Sequence, residues 1–355
     1  MDKLWVDQYR PKQLSQLDYH EKLTETLKSL AHSEDFPHLL FYGPNGAGKK
    51  TRIMSFLHEV YGNGVHKIKA EEREFKVSST SSATCEINII YSNYHIDVTP
   101  ADAEVYDRVI IQKLIKEVAS THQLDPTSQK SFKVVILNEV DRLTLEAQAS
   151  LRRTMEKYVN RCRLILCCEN IGRVIQPLRS RCLLIRVPAP DEGDIIKVVK
   201  KIQNQENLPN ISEEICRKMG DGFGRNLRDI ILNLQMQKLN KSAFDGGSVK
   251  SEWKKEIGKI AQGIKDQQSP FKLKEIRGQF YDLLVNCIPG DVIIKQLMQE
   301  LIGIVNNNFI QQEFIYWAAY HENQMNKGSK TIFHLEAFVA QCMLVYKKYI
   351  TQNKN

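Results

Sequence analysis

The chain has 355 residues, of which 42% are hydrophobic and 26% charged, a composition typical of folded globular proteins rather than disordered chains. Lysines and arginines number 50 against 42 aspartates and glutamates, and the resulting formal net charge of +8 permits a polyanionic partner without requiring one. At roughly 100–200 residues per domain, the length predicts two or three domains.

Two further classes of protein are disfavoured. No run approaches the ~18 consecutive apolar residues that a membrane span needs, and the first residues lack the apolar core of a secretory signal. We therefore expect no membrane partner and, without an export signal, reduced thiols. The eight cysteines form no CxxC pair, so no metal-ligand set is predicted.

Predicted helices and strands alternate along the first half of the chain. In chain order, helices are expected over 21–31, 51–61, 107–120 and 145–158, and strands over 36–42, 132–137, 163–168 and 183–187. These strands are almost continuously apolar, which is typical of a parallel sheet covered on both faces. Residues 62–105 are more polar, and there we expect a surface insertion followed by a return to the sheet, with strands over 86–90 and 94–98.

The second half of the chain is helical in pattern throughout. Pro188-Ala189-Pro190 is the clearest linker signal, and Gly246-Gly247 suggests a second boundary. The predicted fold class is therefore α/β followed by all-α. We expect an α/β domain over 1–187, a small helical domain over 188–245 and a second helical domain over 246–355.

A glycine-rich loop stands between a predicted strand and a predicted helix. Its residues are Gly43, Pro44, Asn45, Gly46, Ala47, Gly48 and Lys49, which fit the pattern GxxxxGK. Glycines let backbone N–H groups turn toward phosphate oxygens, and the N-terminus of the following helix adds its dipole. Because the lysine of this pattern reaches the terminal phosphates, we predict that residues 43–51 bind ATP or ADP.

Two positions that normally support Mg²⁺ depart from the pattern. Lys50 replaces the Ser or Thr whose hydroxyl holds the ion, and Thr51 comes one residue, about 100° of helix rotation, too late. Asn138 follows the second strand where an Asp is expected, and Glu139 then stands where a water-orienting base would be. We expect the site to bind nucleotide, to support Mg²⁺ poorly and to hydrolyse little, which would leave Glu139 vestigial. Lys50 either supplies part of the missing ion's charge near the phosphates or is a solvated side chain.

Four stretches, residues 5–11 (WVDQYRP), 37–44 (PHLLFYGP), 151–158 (LRRTMEKY) and 180–182 (SRC), together resemble the small subunits of replication factor C. This family is the eukaryotic clamp loader, an AAA+ assembly. The resemblance implies an AAA+ parallel-sheet nucleotide-binding domain over 1–187, a small helical lid over 188–245 and a helical oligomerisation collar over 246–355. Residues 48–51, 93–95 and 328–345 are most similar to the subunit at the end of the pentameric arc, whose own nucleotide site is degenerate.

The resemblance also implies a role for an arginine outside the phosphate loop. Ser180-Arg181-Cys182 matches the family's arginine-finger motif, so Arg181 would act in trans on the nucleotide of a neighbouring subunit. The first-sensor position carries Glu169, with Asn170 beside it, where the family generally has Asn. A carboxylate there would repel phosphates and is a third departure in the hydrolytic apparatus.

Four residues match the family's remaining nucleotide contacts. Arg228 matches the second sensor, an arginine on the lid that touches phosphates in cis. Val6, Tyr9 and Arg10 resemble contacts on the adenine side. Tyr9 fits packing between domains equally well.

The family loads a sliding clamp onto primer-template DNA in the nucleus, during DNA replication and repair. The implied partners are four other clamp-loader subunits, the clamp (proliferating cell nuclear antigen) and DNA. Phosphate contacts need cationic side chains, and the candidates are Arg108 and Lys113 for DNA. Arg152 and Arg153 are candidates for interface or coupling residues. Val109 and Ile110 are candidates for clamp contact, although their spacing fits core packing as well.

Two other functions stay open at this point. A self-sufficient AAA+ ATPase, such as a helicase loader or a DNA-remodelling homo-oligomer, would need intact metal-supporting residues as well as a finger. A pure scaffold, in which nucleotide only fixes the angle between domains, predicts that Arg181→Ala leaves the turnover of partner subunits unchanged.

Overall fold

The computed structural model describes residues 3–33, 35–76, 84–120, 132–159, 161–209, 211–239, 252–325, 327–328 and 330–352. The chain divides into two compact units, 1–249 and 250–355. The first unit begins with α1 (Trp5–Gln8), α2 (Glu21–His32), β1 (Leu39–Tyr42), α3 (Lys49–Tyr61), β2 (Lys69–Lys76), β3 (Thr84–Tyr91) and β4 (His95–Val98). It continues with α4 (Asp107–Ser120), β5 (Lys133–Leu137), α5 (Leu145–Lys157), β6 (Cys162–Cys168), α6 (Gln176–Arg179), β7 (Leu183–Arg186), α7 (Glu192–Glu206), α8 (Glu213–Gly222) and α9 (Leu227–Leu239).

The seven strands form one sheet in the order β2-β3-β4-β5-β6-β1-β7. From β4 to β7 all neighbouring strands are parallel, with Leu39 opposite both Ile165 and Leu183. Parallel strands need crossover helices on the sheet faces, which explains why β1, β5 and β6 are apolar along nearly their whole length. The predicted fold class, α/β followed by all-α, is confirmed.

The polar stretch before β4 differs from the expectation of a surface insertion. Lys69–Lys76 pairs antiparallel with Thr84–Tyr91, which in turn pairs antiparallel with β4. The stretch therefore extends the sheet by two strands, and only Ile87 and Ile89 of β3 are deeply buried. Charged residues are usual on an edge strand because they discourage pairing with further strands. The high charge of β2 is therefore compatible with a strand, although it led us to expect a surface insertion. The polar run predicted over 78–83 lies outside the described residues.

Two apolar layers cover the faces of the sheet. On one face α4 and α5 pack through residues such as Ile110 and Leu151, and on the other α2 and α3 pack through Leu27 and Phe56. Ile110 is 1% exposed, so of the two interpretations left open for it the structure supports core packing and not clamp contact.

Helices α7, α8 and α9 form a third cluster within the first unit, into which Trp5 and Tyr19 also pack. The predicted division of this unit near Val187 stays a prediction. The second unit consists of α10 (Glu252–Asp266), α11 (Pro270–Val285), α12 (Gly290–Ile304), α13 (Asn308–Met325) and α14 (Thr331–Gln352) around its own core. The predicted boundary at Gly246-Gly247 falls outside the described residues. Within the described ranges, no helix is both long and apolar enough to cross a membrane.

Candidate nucleotide site

A cavity of about 450 Å³ opens between the N-terminal segment, the phosphate loop and helices α7 and α9, all in the first unit. This volume suits a small-molecule ligand. Of the predicted nucleotide-binding residues, seven line the cavity: Val6, Tyr9, Arg10, Gly46, Gly48, Thr51 and Arg228. The apolar part of the wall includes residues that the sequence did not single out, among them Leu17, Tyr19, Ile202, Leu227 and Ile231.

The phosphate loop has a backbone that two of its glycines make possible. Gly46 and Gly48 have φ values of +71° and +86°, in the left-handed region that L side chains rarely adopt. A Cβ on Gly46 would lie 1.7 Å from Asn226 Oδ1, and one on Gly48 would lie 2.4 Å from Tyr19 Oη. The loop therefore fits closely against both the N-terminal segment and α9, and α3 begins directly after it.

Lys50 apart, five loop residues that were predicted to bind nucleotide do not line the cavity: Gly43, Pro44, Asn45, Ala47 and Lys49. The Lys49 ammonium donates to the carbonyl oxygens of Gly43 and Pro44, at 2.6 and 2.9 Å. These bonds hold the ammonium over the loop, where a lysine of this motif meets phosphate oxygens. Asn45 is exposed at the turn, whereas Ala47 is buried and its carbonyl accepts a hydrogen bond from Tyr19 Oη at 3.1 Å.

A buried arginine supports the loop from behind. Arg52 is fully buried and donates to the Tyr19 carbonyl at 2.7 Å and to Thr24 Oγ1 at 3.1 Å. Its guanidinium also lies 4.8 Å from the centre of the Tyr19 ring. Burial lowers the pKa of Arg52, which is the expected cost of placing this cation in the interior. Sequence reasoning missed Arg52 and Tyr19; the only signal was a cation on the apolar face of a helix.

The position of Tyr9 is compatible with both of the roles that the sequence left open. It lines the cavity, and its hydroxyl donates a short hydrogen bond to Glu206 at the end of α7. Burial, followed by this bond to Glu206, raises the pKa of Tyr9 to about 12. Lys238 of α9 holds the same carboxylate at 2.5 Å. The tyrosine thus joins the N-terminal segment to α7 and α9 beside the cavity. Arg10, next to it, pairs with Asp7 at 3.0 Å.

Lys50 has a partner that neither interpretation of the sequence foresaw. Its ammonium lies 2.7 Å from Asp97 Oδ2, and the carboxylate of Asp97 is 4% exposed. Asn138 donates from Nδ2 to the other oxygen, Asp97 Oδ1, at 2.5 Å. We call Lys50, Asp97 and Asn138 the strand-end cluster, because Asp97 and Asn138 lie at the carboxyl ends of the neighbouring strands β4 and β5. Sequence reasoning missed Asp97, although one acidic residue inside an otherwise apolar strand is a signal worth noting.

The other hydrolytic positions also have partners within the chain. Glu139 has a φ of +53°, and its carboxylate accepts a hydrogen bond from Arg142 Nη1 at 2.8 Å. Asp141 Oδ2 accepts from the backbone N–H groups of Glu169 and Asn170, at 3.2 and 3.1 Å. The side chain of Asn170 caps the turn that follows, so its amide oxygen is already used.

Arg181 lies outside the cavity lining, just before β7, which is the last strand at one edge of the sheet. Its Nε and Nη2 donate to Glu156 Oε1 at 2.8 and 2.6 Å. Nη1 donates to the Pro177 carbonyl at 2.8 Å. The guanidinium is therefore held at the sheet edge and is separate from the chain's own phosphate loop.

The predicted DNA-binding residues lie on α4. Arg108 is exposed and pairs with Glu146 at 3.3 Å, and Lys113 is also exposed. Arg108 and Lys113 are five positions apart, so their side chains leave the helix in directions about 140° apart. The two side chains therefore cannot contact the same phosphate. Arg152 and Arg153 are exposed on α5.

Two family models match the chain. Residues 253–350 match the model described as replication factor C subunit 3, C-terminal domain. Residues 19–191 match the model described as DNA polymerase III, delta subunit. The first match falls within the helical second unit, and the second covers the sheet and its helices.

Full-length relatives are similar over almost the whole chain. Replication factor C subunit 3 of Bos taurus is 46% identical over 349 residues, which cover 98% of this chain and 97% of the relative. The probable replication factor C subunit 3 of Dictyostelium discoideum is 45% identical, covering 98% and 99%. Replication factor C subunit 5 of Schizosaccharomyces pombe is 43% identical, covering 97% and 96%. Among solved structures, a variant of Thermotoga maritima RuvB aligns with a TM-score of 0.45 and 14% identity over 71% of this chain and 79% of that one, a likeness too low to bear on function.

Proposed function

This chain belongs to the replication factor C subunits, in the group whose curated members carry the name subunit 3 or subunit 5, and we propose which place it takes in the clamp loader. It is one of five different subunits that together load the sliding clamp, proliferating cell nuclear antigen, onto primer-template DNA. This work belongs to DNA replication and repair and takes place in the nucleus.

The chain's own site binds ATP or ADP and hydrolyses it slowly. The cavity walls, the left-handed glycines of the loop and Lys49 support nucleotide binding. Val6 and Tyr9 would face the base, and Arg228 the phosphates. The hydrolytic side supports little turnover, because the metal-supporting positions are Lys50 and Asn138.

Arg181 acts on the nucleotide of a neighbouring subunit. The single observation that carries this proposal is its position before the edge strand β7, outside the chain's own cavity. To reach a neighbour the guanidinium exchanges its two hydrogen bonds to Glu156 Oε1 for hydrogen bonds to phosphate oxygens. A permanently charged group placed there stabilises the charge that develops on the γ-phosphate during hydrolysis.

DNA contact is proposed for Arg108 and Lys113 on α4. Both side chains are exposed, and cationic side chains on a helix suit sequence-independent contact with a phosphate backbone. Their different directions indicate contacts with two different phosphates. Release of Arg108 from the exposed pair with Glu146 costs little, since exposed ion pairs contribute about 0–1 kcal/mol.

The test is ATP turnover and clamp loading by the pentamer assembled with Arg181→Ala. We expect turnover at the neighbouring site to fall by about 10³-fold or more, with normal assembly of the five subunits. Arg186→Ala is the matched control, because Arg186 is an exposed arginine on β7 that has no proposed role.

Two outcomes would contradict the proposal. Unchanged turnover and loading with Arg181→Ala would favour a scaffold in which nucleotide only sets the angle between domains. Rapid hydrolysis by the purified chain alone, abolished by Arg181→Ala, would favour a self-sufficient homo-oligomeric ATPase.

A further inference from the structure

The strand-end cluster occupies the part of the site where related phosphate-loop proteins hold a magnesium ion. In those proteins the ion is held by the hydroxyl of the residue after the loop lysine and by an Asp after the neighbouring strand. Here these two positions are Lys50 and Asn138, and both side chains point to one buried carboxylate, Asp97. Each oxygen of that carboxylate has a donor of its own.

The cluster does not fit a magnesium ion. The Lys50 ammonium carries only donors, and the Asn138 amide presents its N–H side to Asp97, so neither offers an oxygen to a cation at that point. Asp97 is already neutralised by a full positive charge 2.7 Å away. Mg²⁺ requires an octahedral set of oxygens, usually including one or two carboxylates. Among the described residues, no three His, Cys, Asp or Glu side chains come together as a metal-binding group.

The charge balance of the buried groups explains why an ammonium stands there. A carboxylate that is 4% exposed is strongly unfavourable unless a cation or several donors accompany it. The neighbouring His95 does not provide that cation, since its burial lowers its pKa to about 4 and keeps the ring neutral. Lys50 is therefore the positive partner of Asp97 in the cluster. Its side chain, which follows directly after the phosphate loop, remains 41% exposed.

We propose that the Lys50 ammonium takes the place of the magnesium ion, so that this chain binds a nucleoside di- or triphosphate without any divalent cation. This inference rests on the proposal that the cavity holds nucleotide. The phosphates are then met only by groups of the chain itself, namely the N–H groups of the loop, Lys49 and Arg228. Such a site retains its nucleotide at magnesium concentrations so low that a metal-dependent site would release it.

The experiment measures the affinity of the full chain for ADP and for ATP, once with magnesium and once with the metal removed by a chelator. We expect the dissociation constants in the two buffers to agree within about twofold. A loss of affinity of about tenfold or more on chelation overturns the inference. Absence of binding in both buffers contradicts the proposed nucleotide site itself, so the two failures are distinguishable.

A second measurement uses variants and magnesium alone. Lys50→Thr with Asn138→Asp restores a hydroxyl and a second carboxylate and leaves Asp97 without its cation. We expect magnesium, without nucleotide, to raise the melting temperature of this variant and to leave that of the natural chain unchanged, because an ion that binds only the folded state stabilises it. A magnesium-induced rise in the natural chain would overturn the inference.

Lys50→Arg is the charge-matched control. It keeps a cation beside Asp97, and we expect its nucleotide affinity to stay independent of magnesium. Magnesium-dependent binding by Lys50→Arg would contradict the inference, because the proposed role requires only a permanent positive charge at this position. Since this variant and the natural chain are both measured directly, the test holds even if the double variant fails to fold.

Discussion

The two sides of the phosphate loop differ in structure: one adjoins an open cavity and the other a cluster of paired side chains. On the side of α7 and α9, a cavity of about 450 Å³ is open and lined by Tyr9, Arg10 and Arg228. On the side of β4 and β5, the corresponding space is filled by the chain's own Lys50, Asp97 and Asn138. One loop thus adjoins an open binding cavity and a closed charge cluster.

Under the proposed function, binding and hydrolysis are separable properties of such a site. Binding depends on the shape of the loop and on the cavity walls, which do not need a metal. Hydrolysis depends on charge stabilisation at the reacting phosphate, and here Lys50 and Asn138 both contact Asp97 at the positions that normally support the metal ion. A chain can lose hydrolysis and keep nucleotide binding, provided that a cation neutralises the buried carboxylate of Asp97.

The largest expected effect comes from removing the cation of the closed side. Lys50→Met leaves Asp97 buried without a counter-charge, and we expect the first unit to lose about 3 kcal/mol of stability. Hydrogen–deuterium exchange of the amides in β4 and β5 measures this locally. The double variant Lys50→Met with Asp97→Asn removes both charges and should recover most of the loss. Equal destabilisation of the single and double variants would show that Lys50 stabilises by something other than charge.

A smaller effect is expected from pH, again on the closed side. The pKa of His95 is lowered from 6.5 to about 4, chiefly because of burial, so the folded protein holds this ring neutral. The unfolded chain therefore binds more protons between these values, and stability falls as the pH drops from about 6.5 toward 4. We expect a loss of about 2 kcal/mol between about pH 7.5 and about pH 5 from this group. His38 and His66 shift in the same direction, so the natural chain must be compared with His95→Asn, which should lose this part of the pH dependence. An identical pH profile in the variant would contradict the prediction.

The smallest effect is expected on the open side. Tyr9→Phe removes the hydrogen bond to Glu206 and keeps the ring, so we expect about 1 kcal/mol less stability. The affinity for ADP should change by less than about twofold, because stacking on an aromatic ring does not need the hydroxyl. Tyr9→Ala, which removes the ring, is the comparison. Equal ADP affinity in both variants would show that Tyr9 serves only to join the N-terminal segment to α7 and α9.

Local patterns in the sequence predicted much of the fold. The strands around Leu39 and Val134 and the helices around Phe56 and Leu151 were expected from apolar runs and helical spacing, and the predicted fold class is confirmed. The prediction failed for β2, because an edge strand rich in charge lacks the alternation on which strand prediction depends. The sequence could not decide whether Ile110 packs in the core, where the structure places it, since a helical apolar stripe looks the same whether it faces a core or a partner protein.

The sequence by itself determined the phosphate loop, the departures at Lys50 and Asn138, and the family, because each of these is recognised from short local motifs. Only the tertiary structure decided which side chain Lys50 and Asn138 contact. Asp97 and Asn138 are 41 positions apart and meet only because β4 and β5 are neighbours in the sheet. The cation that neutralises a buried carboxylate can come from any part of the chain that the fold brings near it, so a local sequence pattern does not predict the pair.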